Sequence, residues 1–91
     1  MQVIEKQHLN NWLETNDNWK HENGEIVTER NFDTFADAFQ FIGKVAVLAE
    51  ERQHHPKIEN EYTRVRLSMT THDADNQITD KDLKMAEAID R

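Results

Sequence analysis

The dipeptide Asn23-Gly24 separates two segments with extended character, Asn18 to Glu22 and Glu25 to Phe32. Both residues tolerate the positive φ angles of a two-residue type I′ turn, so the segments are predicted to close as a tight antiparallel hairpin. A turn of that length permits one register, in which Trp19 faces Thr28 and His21 faces Ile26. Gly24 and Gly43 are the only glycines and Pro56 the only proline. No repeat, low-complexity block or flexible linker interrupts the sequence, which predicts one compact domain over residues 1–91.

The flanking periodicities extend this hairpin into a fold. From about Lys6 to Thr15, Leu9, Trp12 and Leu13 recur at i, i+3 and i+4, the spacing of one helical face. After the hairpin, Asp33 can cap a helix running to about Arg52. It carries two apolar stripes: Phe35, Phe39, Ile42, Ala46 and Ala49 on one, Phe41, Val45 and Leu48 on the other. That is more apolar surface than one sheet face needs, and the second stripe suits either packing on the first helix or a subunit contact. Pro56 disfavours helical geometry at His55, so the helix should end at the histidine pair. Alternation then predicts strand from about Ile58 to Thr71, broken near Tyr62-Thr63, with Val65, Leu67 and Met69 on one side and Arg64, Arg66, Ser68 and Thr70 on the other. Thr79 and Asp82 form a T-x-x-D variant of the capping box, flanked by Ile78 and Leu83 as a hydrophobic staple. They open a last helix from Asp80 that buries Leu83, Ala86 and Ile89. The order α, hairpin, α, extended, α predicts an α+β sandwich, with helices on one face of an antiparallel sheet.

Composition narrows the function. A chain of this length buries only roughly 60 to 65% of its unfolded surface, so oligomerisation is a plausible aid to a thin core. Without cysteine there is no thiolate nucleophile, disulfide framework or Cys-based zinc site. Eighteen acidic against eleven basic side chains give a net charge of −7, which repels a phosphate backbone. Arg64 and Arg66 are too few to reverse that repulsion, so direct nucleic-acid binding is not expected. The start, MQVIEKQHLNNW, has neither a basic nor an apolar leader region, and the longest apolar run is Val45 to Ala49. A soluble, cytoplasmic protein without membrane contact is expected.

Of the five histidines, His8 is expected to be exposed on the first helix and His21 to be the cross-strand partner of Ile26, whereas His54, His55 and His72 fall at element boundaries, where functional side chains tend to be displayed. Adjacent His54 and His55 should point apart, and the strand after Pro56 can bring His72 back to them. Three imidazoles near one cleft suit acid-base catalysis near neutral pH. The alternative is a helix C-terminus that merely favours cationic side chains. A metal held by His54, His55, His72 and Glu50 is disfavoured, because histidines pointing apart rarely chelate one ion and no H-x-x-x-H or H-E-x-x-H pattern is present. Ser68, the only serine, lies mid-strand and outside any G-x-S-x-G turn.

From Glu50 the chain reads E-x-x-x-H-H-P, then five residues to Tyr62, nine to His72 and nine more to Asp82. This spacing resembles the signature of the pterin-4a-carbinolamine dehydratases, the family that includes the dimerization cofactor of the hepatocyte nuclear transcription factor. The likeness extends to Trp12, Trp19 and the V-x-L-S-x-T-T-H strand, nearly the full chain. It implies three helices on a four-stranded antiparallel sheet. It also implies dehydration of 4a-hydroxytetrahydropterin to quinonoid dihydropterin, recycling the cofactor of aromatic amino acid hydroxylases. The pterin is then the substrate, and neither metal nor other cofactor is needed. By resemblance His54 and His72 are the acid-base pair, His55 orients the ring, and Glu50, Gln53, Pro56, Thr70, Thr71 and Asp73 are substrate-binding. Asp82 and Tyr62 keep simpler readings, the first as capping residue and the second as packing. Ile58 and Gln53 depart from the family pattern, which bears on substrate preference. The resemblance further implies a homodimer or tetramer, and as alternative function a non-catalytic interaction or dimerization module that engages a protein partner.

Overall fold

The computed structural model describes residues 2–91. The first helix, α1, spans Lys6–Thr15 and buries Leu9 and Trp12, as their spacing predicts. Strands β1 (Lys20–Glu22) and β2 (Glu25–Asn31) pair antiparallel with His21 opposite Ile26. Asn23 and Gly24 hold φ angles of 51° and 78°, so the two-residue turn sets the expected register. Trp19 precedes β1 rather than belonging to it, and its buried indole donates to Asp90 Oδ2 at 2.9 Å.

Helix α2 runs Phe35–Arg52 and is capped by Thr34, not Asp33: the Thr34 hydroxyl accepts from the Asp37 amide at 3.0 Å. Phe32 explains the delay. Its amide still donates to Thr63 O at 2.9 Å and its ring lies 5.3 Å from Phe41, so the chain is leaving the sheet at Asp33. The second apolar stripe of α2 faces inward, whereas the first divides, with Ile42 and Ala49 inward and Phe35, Phe39 and Ala46 outward. Val45, with Ala38 and Ala49, is buried in the core, and Phe41, Ile42 and Leu48 pack against it. Phe35, Phe39 and Ala46 remain exposed. The small Ala38 and Ala49 decide the inward side, because they let the helix approach its neighbours closely while Phe41 meets Phe32.

The extended segment is two strands, β3 (Lys57–Glu61) and β4 (Arg64–Met69), reversing at Tyr62-Thr63. Tyr62 sits there at φ 52° and is 71% exposed, so the expected packing role is not what the fold gives it. A residue at the tip of so tight a reversal has no strand neighbour to lie on. Helix α3, Asp80–Ile89, closes the chain on the Thr79 cap and buries Leu83, Ala86 and Ile89 as expected.

The sheet order is β1-β2-β4-β3, antiparallel throughout. Ile26, Val65, Leu67 and Met69 from its inner face share one core with Leu9, Trp12, Val45, Leu83, Met85 and Ile89 from the helices. The outer face is polar, with Glu29, Arg66 and Glu59 in register across three strands. The expected α+β architecture, three helices on one face of a four-stranded antiparallel sheet, is the one observed. α3 is fastened from several sides: Trp12 Nε1 donates to Glu87 at 2.8 Å, and Lys44 Nζ to the carbonyls of Ile89 and Arg91 at 2.7 and 2.8 Å. Among the described residues no helix is long and apolar enough to cross a membrane.

Candidate active site

The histidine pair owes its placement to how α2 ends. Gln53 takes the left-handed conformation (φ 50°, ψ 45°), and the His54 amide turns back to Ala49 O at 3.0 Å, a Schellman-type closure made without glycine. A non-glycine residue there costs on the order of 1 kcal/mol. In return the chain swings His54 inward against the start of α3. Pro56 is buried behind the pair and β3 begins directly after it.

His54 meets a carboxylate that is wholly enclosed. Asp82 is 0% exposed, and its Oδ1 lies 2.6 Å from His54 Nε2. Its Oδ2 accepts from the Thr79 amide at 2.8 Å and the Thr71 hydroxyl at 2.9 Å. An ionised carboxylate only accepts, so His54 donates from Nε2, and Nδ1 is the nitrogen left for a ligand. One side chain thus does two jobs: it closes the capping box of α3 and fixes the tautomer of a histidine 28 positions away in sequence.

The other two imidazoles are exposed. His55 takes a different partner from His54: its Nε2 contacts Glu50 Oε2 at 2.5 Å. Both partners are largely solvated, so this contact orients the ring more than it stabilises the fold. His72 was expected to end the strand. β4 instead stops at Met69, and His72 opens a short 3-10 turn, His72–Ala74, closed by the Thr71 amide donating to Gln77 O at 2.9 Å. Asp75 and Asn76 hold φ angles of 56° and 60°, which brings Asn76 Oδ1 back to His72 Nδ1 at 3.2 Å. Nδ1 donates to that amide oxygen, which leaves Nε2 as the free nitrogen of His72.

These elements enclose a cleft of about 210 Å³ lined by Gln53, His54, His55, Thr70, Thr71, His72, Asp73 and Lys81. The three histidines that sequence reasoning singled out therefore share one cavity, with Gln53, Thr70, Thr71 and Asp73. Glu50 and Pro56 are not on its wall: Glu50 reaches it only through His55, and Pro56 is buried beneath. Two residues were missed. Asp82 already had a sufficient explanation as a cap, and its burial against His54 is a tertiary fact. Lys81 carries no sequence signal that sets it apart from other surface lysines. Among the described residues no group of three or more His, Asp or Glu side chains is arranged to hold a metal ion. At the rim of α3, Asp80 Oδ1 accepts the Gln2 amide at 2.8 Å, a hydrogen bond that holds its carboxyl below the usual carboxylate range.

A three-helix, four-stranded α+β unit with a histidine cleft at the α2 exit defines a class of small single-sheet proteins, and comparison narrows it. Residues 2–91 match the family described as pterin 4 alpha carbinolamine dehydratase. A relative from Prochlorococcus marinus (strain NATL2A), named as a candidate pterin-4-alpha-carbinolamine dehydratase, is 44% identical over 98% of this chain and 93% of its own. Another from Christiangramia forsetii, named likewise, is 34% identical over 99% of this chain and 92% of its own. The crystal structure of a transcriptional coactivator/pterin dehydratase from Brucella melitensis superposes with a TM-score of 0.90 at 31% identity, covering 97% of this chain and 95% of the other. The chain belongs to the pterin-4-alpha-carbinolamine dehydratase family, a family of hydro-lyases.

Proposed function

We propose that this protein dehydrates a 4a-hydroxytetrahydropterin to the quinonoid dihydropterin. The reaction breaks the C4a–O bond, forms C4a=N5 and releases water. Hydroxide is a poor leaving group and must take a proton from a general acid, while N5 gives one up to a base. The observation that carries the reading is the convergence of His54, His55 and His72 on one cleft, with His54 oriented by a buried carboxylate. His54 through Nδ1 and His72 through Nε2 are the acid-base pair. His55, free of any buried partner, orients the ring, and Gln53, Thr70 and Asp73 supply hydrogen bonds at its edge. Thr71 acts mainly through Asp82. No covalent intermediate, metal or redox cofactor is needed by this chemistry, and the pterin is substrate rather than cofactor. The upstream source is a hydroxylase that leaves its pterin as the 4a-carbinolamine, in the cytoplasm.

The test is the rate of carbinolamine loss. His54→Ala and His72→Ala should each lower the enzyme-dependent rate by about 10² to 10⁴, the usual worth of a positioned acid or base. Full activity in both variants would overturn the assignment.

A second reading concerns assembly. Phe35, Phe39 and Val47 on α2 are 47%, 58% and 60% exposed, large apolar side chains on a chain with otherwise abundant charge. A second copy of this chain is the partner we assign to that face. It is compatible with catalysis, and in a relative without activity it would serve as an interaction module alone.

A further inference from the structure

Beside the histidine cleft lies a second opening of about 280 Å³, lined by Arg52, His54, Lys81 and Lys84. His54 and Lys81 belong to both walls. The second opening therefore adjoins the imidazoles, and its other lining residues are two further cations, Arg52 at the end of α2 and Lys84 on α3. In a chain of net charge −7, three cations lining one opening stand out. Among the described residues neither Arg52 nor Lys81 has a carboxylate at ion-pair distance, and Lys84 reaches Asp80 only at 4.0 Å. Helix ends do not account for the cluster. A cation is favoured at the C-terminus of α2, which explains Arg52, but Lys81 occupies the first turn of α3, where the helix dipole disfavours it. Asp80 and Asp82 flank Lys81 in sequence, but Asp82 is turned inward to His54 and Asp80 is tied to the Gln2 amide, so an anion among Arg52, Lys81 and Lys84 would relieve the repulsion of three like charges.

We propose that Arg52 and Lys84, with Lys81 linking them to the histidines, form a subsite for an oxyanion on the substrate's side chain. The preferred substrate is then a pterin whose side chain ends in a phosphate or carboxylate, not in a neutral polyol. This rests on the pterin reading of the neighbouring cleft. A guanidinium and ammonium groups suit either oxyanion, and the guanidinium offers two parallel donors to it.

Equilibrium fluorescence titration with three dihydropterins tests this: one with a neutral polyol side chain, its phosphate monoester, and a side-chain carboxylate. At low salt the phosphate ester should bind about tenfold tighter than the neutral compound, and the advantage should shrink as salt screens exposed charge. Arg52→Gln combined with Lys84→Gln should remove most of that advantage while leaving affinity for the neutral compound within about twofold. A gain for the phosphate alone, or for both anions, supports the subsite and states which oxyanion it reads. Equal affinity of wild-type protein for neutral and anionic compounds overturns it, as does an advantage that survives in the double variant. If no dihydropterin binds at all, the pterin reading itself falls, and this inference with it.

Discussion

Asp82 shows how much can depend on one side chain. It is fully buried, and its two oxygens serve the Thr79 amide, the Thr71 hydroxyl and His54 Nε2. Asp82→Ala strands all three groups, and its cost should fall at about 3 to 5 kcal/mol, readable as a lower urea midpoint. Asp82→Asn separates stability from chemistry. Its amide oxygen can still accept from Thr79 and Thr71, but its NH₂ would then face His54 Nε2 and force that nitrogen to accept. The ring proton moves to Nδ1, and the nitrogen facing the cleft becomes a donor. The expected outcome is a loss of rate comparable to His54→Ala with a much smaller loss of stability than Asp82→Ala. Wild-type activity in Asp82→Asn would show that the tautomer does not matter.

The helix α2 carries opposite tasks on its two sides. Its inner side, Ala38, Val45 and Ala49, holds it to the core, and its C-terminus presents the histidine pair. Its outer side exposes Phe35 and Phe39, whose rings lie 5.6 Å apart, together with Val47. Burying one such side chain between two copies is worth about 1.5 to 3 kcal/mol. Phe39→Glu should therefore shift the protein toward monomer in sedimentation velocity while leaving its helical circular dichroism intact. A wild-type protein that sediments as a monomer at micromolar concentration, where such contacts would be populated, counts against this face as an interface.

Acidity governs the molecule as a whole. Much of the net negative charge disappears as pH falls through the carboxylate range, with a general relief of self-repulsion. Asp80 differs, because the Gln2 amide ties the N-terminal segment to the start of α3 through its charge. Its carboxyl is held below its unfolded value. The stability it lends is fully present above that value, about 3.9, and is lost as pH falls through the lower folded one. Asp80→Asn should flatten the fall of stability below about pH 4 when urea midpoints are compared across pH. An unchanged slope would mean that the contact does not persist in solution.

Local chemistry determined much of this protein in advance. Asn23-Gly24 dictated the hairpin register, because only positive-φ residues close a two-residue turn. Thr79-x-x-Asp82 dictated the start of α3, and the spacing of Leu9 and Trp12 the buried side of α1. The spacing of the histidine motif likewise pointed to the three imidazoles that the fold gathers. What was not legible was any property set by a partner distant in sequence. Which residues of α2 face inward depended on Phe32 and on the small size of Ala38 and Ala49 against their neighbours. The second role of Asp82 depended on α2 ending in a left-handed Gln53 that turns His54 back onto α3. The basic wall of Arg52, Lys81 and Lys84 exists only because the end of one helix meets the start of another. Periodicity and turn chemistry act within a few residues and so can be read along the chain, whereas burial, tautomer and local field arise only when the elements pack.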